Sequence, residues 1–288
     1  MLGRISLNGS SLMRCRLLIL IILAVPLVTL GQNRIQGEAK GILLEDLTWV
    51  EAEKVLTPDT VVVIPLGAAA KEHGPHLKLK NDLLIAEYLK KRVLKSSNVI
   101  IAPTVNYHFY PSFVEYPGST TLRLEVARDL IIDICQSLAR YGPRRFYILN
   151  TGISTVRALA PAAESLAANG IVMKYTDLKM VGPVEKEISK QEGGTHADEI
   201  ETSMMLYIAP ETVDMKKAAK DYHPRIGERS GLTRDPNGEG VYSPTGIWGD
   251  ATLATREKGR KVIEALVAGI LKDIEDLRNS AVPDRASK

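Results

Sequence analysis

Val61-Val62-Val63-Ile64-Pro65-Leu66, closed by Gly67, is the run that decides the fold class. It holds four β-branched residues in succession, with no alternation between apolar and polar. A half-wetted strand of an antiparallel sheet would alternate. A strand apolar on both faces belongs inside a parallel sheet that helices cover on each side.

Working outward, residues 83–96 read as a helix and 99–103 as a second strand. Residues 123–141 form a further helix, with Val126, Leu130, Ile134, Leu138 and Tyr141 on one stripe and Gly142 and Pro143 ending it. Residues 146–149 are a third strand, followed by a turn at 150–154, an Ala-rich helix ending near Gly170, and a fourth strand at 171–175. The alternation predicts an α/β fold, a three-layer αβα sandwich on a mainly parallel sheet with right-handed crossovers. Such sheets place ligands at the carboxyl ends of their strands, and two segments leave there, 67–82 and 150–154. Residues 178–195 and 221–250, rich in Gly, Pro and charge, are expected as long loops near the site. Residues 255–277 make a last amphipathic helix.

Residues 1–31 read as a signal peptide, with Arg14 and Arg16 ahead of an apolar run from Leu17 to Leu30 that Pro26 interrupts. Thr29 and Gly31 offer a small-residue cleavage site, and a retained N-terminal anchor is the alternative. Either way the domain, residues 32–280, is expected to be exported, periplasmic or secreted, with 281–288 as a disordered tail. Arg4, Arg14 and Arg16 account for the whole excess of 37 basic over 34 acidic residues. The mature surface therefore has no net positive field to favour nucleic acid or anionic lipid, and no stable membrane association is expected after cleavage. Cys15 leaves with the segment, so Cys135 is alone and no disulfide can form within the chain.

The chemistry concentrates in His73-Gly74-Pro75-His76-Leu77-Lys78-Leu79-Lys80-Asn81-Asp82. Gly74 and Pro75 keep this stretch out of helix, so His73 and Asp82 can turn toward one point at the strand end. Imidazole with carboxylate suits Zn, Mn or Fe, although a loop histidine can equally be a hydrogen-bonded or solvated residue.

Val63-Ile64-Pro65-Leu66-Gly67, Lys71-Glu72-His73-Gly74-Pro75-His76-Leu77 and Asp82 together resemble the first motif of the creatininase (creatinine amidohydrolase) family. Tyr116-Pro117-Gly118-Ser119-Thr120 resembles its FPGT segment, Ile148-Leu149-Asn150 the strand before its NGHGGN turn, and residues 194–203 its GxHAxxxETS segment. The resemblance runs from about residue 44 to 275. It implies hydrolysis of a cyclic amide or similar small C–N bond in a small-molecule substrate, by water activated on one or two divalent ions, in a homo-oligomer. Residues matching the family's metal ligands are His73 and Asp82, and Glu201 is placed to contact or orient a ligand. His196 matches a residue near the reacting amide, able to protonate the leaving nitrogen. His76 is read as a hydrogen bonder beside the substrate, and Glu199 as a first-turn acid favouring its helix dipole.

Two departures stand out. The family glutamate precedes the matched histidine by two residues, where this chain has Lys71; Glu72 is then the candidate replacement ligand. Gly152 occupies the position of a ligand histidine in the NGHGGN turn. If both are losses, one ion survives and the ammonium of Lys71 stands where the other was; a solvated surface lysine is the plain alternative. A serine hydrolase is disfavoured because the turn at Gly152-Ile153-Ser154 carries Val156 where a nucleophile elbow needs Gly. The same turn, with Gly152 and Ser154, is a candidate for binding an anionic group of the substrate. The remaining alternative is a catalytically silent relative that binds a small ligand or partner.

Overall fold

The structure, a computed structural model, describes residues 39–284 except Ser230. The signal-peptide reading of residues 1–31 and the last four residues of the expected tail lie outside the described residues. In chain order the main elements are β1 (Ile42–Leu43), α1 (Trp49–Val55), β2 (Val61–Leu66), α2 (Asn81–Ser96), β3 (Ile100–Ile101), α3 (Leu124–Ala139), β4 (Arg145–Asn150), α4 (Val156–Ala167), β5 (Val172–Tyr175), α5 (Gly182–Ile188) and α6 (Glu199–Ile208). Short strands β6 (Lys220–Asp221), β7 (Arg225–Ile226), β8 (Leu232–Thr233), β9 (Gly240–Tyr242) and β10 (Gly249–Asp250) precede α7 (Arg256–Arg278).

The central sheet has the order β1-β3-β2-β4-β5, and every pairing in it is parallel. All six residues of β2 are buried. Val61 and Val63 pack with α2, α6 and α7 on one face; Val62, Ile64 and Leu66 pack with α3 and α4 on the other. The fold is thus the expected αβα sandwich. After β2 the chain moves outward to β3, and after β4 it moves the opposite way to β5. The crevice between the carboxyl ends of β2 and β4, where Leu66 pairs with Asn150, is therefore the switch point at which such sheets bind ligands. Among the described residues no helix is long and apolar enough to cross a membrane.

Three expectations need correction. The second strand pairs only over Ile100 and Ile101, because the next rung would need an N–H from Pro65, which has none. In α3 the buried stripe is Ala127, Ile131, Cys135 and Ala139, whereas Val126 and Tyr141 are exposed. A broad apolar face is turned by one residue so that small side chains meet α4. The expected loops hold structure: α5 lies within 178–195, and 221–250 carries two small sheets, β10-β6 and β7-β9-β8. Strands of two or three residues are too short to leave a period in the sequence.

His108 is fully buried, and its Nε2–H donates to the Ala127 carbonyl at 3.0 Å. Burial pulls its pKa down from 6.5 to about 4, against the pull of that hydrogen bond. The unfolded chain binds the extra proton between these values, so this contribution is intact above pH 6.5 and is lost as pH falls to 4. Urea denaturation at pH 7 and pH 4 should show about 3 kcal/mol of acid destabilisation from this residue, and His108→Gln should flatten the slope.

Candidate active site

Gly67 lets the site form. A Cβ there would stand 2.5 Å from the Asp82 carbonyl oxygen and 2.7 Å from the Ala86 Cβ, so only glycine allows the first turn of α2 to touch the end of β2. Asp82 is thereby held in the first turn of α2, where the helix dipole favours an anion. The loop from 68 to 80 is tied down at Thr120 N–H to Ala70 carbonyl, 2.9 Å, and at Glu72 N–H to Ser119 Oγ, 2.9 Å.

Lys71 and Asp82, 4% and 0% exposed, form an ion pair with Nζ 2.8 Å from Oδ2. Lys71 is therefore not the solvated lysine of the plain reading. Burial pulls its pKa down, but the charges of Asp82, Glu201 and Glu72 outweigh it and hold the ammonium above its ordinary value. Burial likewise works against the Asp82 carboxylate, yet Lys71 and His73 keep it well below the usual carboxylate range.

His73, 1% exposed, bonds the Lys71 carbonyl through Nδ1 at 2.9 Å and meets Asp82 Oδ1 through Nε2 at 2.8 Å. A carbonyl only accepts, so Nδ1 carries a proton, and Nε2 is the nitrogen that faces the Asp82 carboxylate. A ring nitrogen and a carboxylate oxygen at that separation share either a proton or a cation.

His196 arrives from the far side, on the segment before α6. Gly194, at φ 116°, lets this backbone pass Trp248 so closely that any Cβ would collide with the Trp248 carbonyl. Trp248 N–H donates to the His196 carbonyl at 2.8 Å. The His196 Nε2–H lies 3.0 Å from the Glu72 carbonyl and 3.1 Å from Glu72 Oε2, which leaves Nδ1 facing Glu201 Oε2 at 3.6 Å. Burial lowers the pKa of His196, and the Glu72 charge and hydrogen bond outweigh it, so the net shift is upward. Glu201 is set by the Asp198 cap, which accepts from its N–H at 3.0 Å, and its own Oε2 accepts from Ala197 N–H at 2.6 Å. Ala197 has φ 49°, a left-handed conformation that a non-glycine residue adopts at a cost, here beside the site.

One donor atom from each of His73, His196 and Glu201 lies within 4.8 Å of the other two, an arrangement that can hold a divalent cation. His196, expected as a proton donor, thus falls among the potential ligands. Glu72, expected as a ligand, does not join them; its carboxylate is engaged by His196 and the Gly74 N–H. Glu199 is structural, accepting from Lys190 N–H at 2.8 Å and Gln191 N–H at 2.7 Å and pairing with Lys258. His76 bonds Thr202 Oγ1 through Nε2 at 2.8 Å, and burial pulls its pKa down to about 4.

The turn after β4 does not present its serine to the site. Asn150 Oδ1 folds the turn by accepting from Gly152 N–H at 3.1 Å and Thr155 Oγ at 2.7 Å, while Ser154 Oγ donates to the Phe109 carbonyl at 3.1 Å. No histidine contacts Ser154 among the described residues, so a Ser–His nucleophile is not assembled.

Two aromatics from the irregular 107–116 stretch enter the site without a signal in periodicity or motif. Phe113 lies with its ring centroid 4.2 Å from that of His196 and 4.7 Å from Lys71 Nζ. Tyr110 stands beside Lys71, and burial, with the Asp82 charge behind it, pushes its phenol well above the ordinary value.

The profile of the creatininase family, creatinine amidohydrolase, matches residues 45–274. Creatinine amidohydrolase of Pseudomonas putida is 27% identical over 260 residues, covering 83% of this chain and 98% of that protein. The mycofactocin precursor peptide peptidase of Mycobacterium ulcerans is 27% identical over 215 residues, covering 72% of this chain and 81% of that protein. A solved structure of manganese creatininase superposes with a TM-score of 0.68 at 25% identity, covering 83% of this chain and all of that one. With a profile match over most of its length, a parallel sheet of the same build and the matched histidine and aspartate meeting at the switch point, this chain belongs to the creatininase family.

Proposed function

We propose that this chain is a metal-dependent amidohydrolase that opens a small C–N bond, a cyclic amide first among candidates, with a single divalent ion, Zn or Mn. Family membership supports hydrolysis of C–N bonds; the peptide-acting relative keeps a linear amide as the next candidate. The observation that carries the reading is the convergence of His73, His196 and Glu201 on one point beside Asp82. His73 Nε2 and Asp82 Oδ1, 2.8 Å apart, can share a cation in place of a proton. Bound there, a divalent ion lowers the pKa of water and polarises an amide carbonyl.

The chain's own groups do the rest. Glu72 fixes the orientation of His196 by holding Nε2–H, and Asp198 fixes Glu201 through the cap of α6. Lys71 holds a permanent positive charge against Asp82, where the family pattern has a glutamate, and Gly152 brings no donor atom to replace the family histidine. A second ion is thus left without ligands of its own. Metal analysis of the purified protein should give one equivalent per chain, and a chelator should abolish turnover of creatinine or another lactam. Two equivalents would overturn the one-ion form. Because a cation and a proton compete for Nδ1 of His196, metal uptake should strengthen as pH rises.

A second reading, a binder without turnover, is favoured by Phe113, whose ring covers both His196 and Lys71. Its signature is ligand binding that a chelator leaves unchanged. We also place the domain outside the cytoplasm on the composition of residues 1–31; a mature N-terminus just after Gly31 in a periplasmic or culture fraction is the expected result.

A further inference from the structure

A phenol sealed inside a protein normally has a hydrogen-bond partner, because an orphaned hydroxyl loses its water without compensation. Tyr110 departs from this. It is 2% exposed, and its Oη has no partner among the described residues.

The side chain is nonetheless firmly placed. Its backbone N–H donates to Thr121 Oγ1 at 2.9 Å, and its ring meets His108 edge-on at a centroid distance of 6.4 Å. The ring centroid lies 5.9 Å from the Lys71 ammonium. Its Cε1 lies 3.6 Å from where a Cβ on Gly152 would stand, so Tyr110 borders the space that a side chain at 152 would enter. An unused donor is therefore held rigidly beside a fixed cation at the switch point of the sheet.

We propose that Tyr110 is a further catalytic residue, whose hydroxyl donates to the carbonyl oxygen of the bound amide beside Lys71. The assignment rests on the amidohydrolase reading and deepens it. The ligand must present an oxygen acceptor, and negative charge growing on that oxygen during attack strengthens the bond in a site shut off from water.

Tyr110→Phe tests this, because it removes the hydroxyl and keeps the ring. If the hydroxyl is reserved for a ligand, the free protein loses nothing by the change, and its Tm should stay level or rise by roughly 2–4 °C. With creatinine as probe, kcat should fall by about 100-fold with KM little changed, since the interaction is made chiefly in the transition state. A Tm lowered by several degrees would show that the hydroxyl is spent inside the fold and would overturn the proposal, as would an unaltered kcat. Should the wild type leave creatinine intact, the substrate reading fails on its own. Tyr110 is then judged by Tm together with calorimetric titration of creatinine: roughly tenfold weaker binding by the variant supports the role, and equal binding or a lowered Tm overturns it.

Discussion

Lys71→Met is expected to destabilise the metal-free domain by about 3–5 kcal/mol at pH 7. The methionine fills a similar volume, so the cost is electrostatic. It leaves Asp82, fully buried, without the ammonium that is its largest compensating charge. Asp82 Oδ2 has no hydrogen bond of good geometry, and its contact with Lys71 is ionic. The pH window follows from the two shifts. Asp82 has a depressed pKa, so its contribution is present above the unfolded value near pH 4 and is lost only as pH falls through the folded one. Lys71 has a raised pKa, so its contribution is present below about pH 10.4 and is lost as pH rises through the folded value. Both are complete at neutrality, where urea denaturation should register the full loss. Zn or Mn added to the variant should recover part of it, since a cation can supply the missing charge. A variant as stable as the wild type would mean that Lys71 is not a fixed counter-charge.

His73→Ala is expected to weaken metal binding by more than roughly 100-fold, beyond what the loss of a supporting residue costs, and to abolish turnover. His73 joins His196 and Glu201 to Asp82 of α2, contacting Asp82 at 2.8 Å while sharing the three-donor cluster with the other two. The fold should survive, because Lys71 still neutralises Asp82 and the loop is held by its backbone bonds to Ser119 and Ala70. Circular dichroism and Tm measured beside metal content separate this outcome from misfolding. Turnover equal to wild type in a folded variant would remove the basis for placing the chemistry at this histidine.

Much of the scaffold was legible in advance because its signals are local. Four β-branched residues closed by glycine mark β2, and the helix that follows is periodic over enough turns to be read within two residues of its observed start. Even there, the sequence placed the buried stripe of α3 one residue off, since several adjacent apolar residues fit either rotation and only the approach of α4 chooses between them. The segment from 221 to 250 looked like loop because strands of two or three residues carry no period.

The site divides along the same line. The meeting of His73 with Asp82 is readable because both flank one short loop at the end of one strand. The ligand set is not. Glu72 is adjacent to His73 in sequence, yet its carboxylate is taken by His196 and the Gly74 N–H, while Glu201 of α6 comes into reach through the Gly194 crossing of Trp248. Tyr110 and Phe113 come from a stretch with neither periodicity nor a motif of its own.

By itself, then, the sequence determined the parallel sandwich, the edge of the sheet at which the candidate site lies and the first histidine–carboxylate pair, since strand burial, helix period and a tight glycine junction act over a few residues. Only the tertiary structure decided which acids lie in the candidate cluster, that Lys71 is a buried counter-charge and that the Tyr110 hydroxyl has no partner among the described residues. Those outcomes are settled by competition among groups from distant segments for the same few hydrogen bonds and charges, and that competition exists only once the layers have packed.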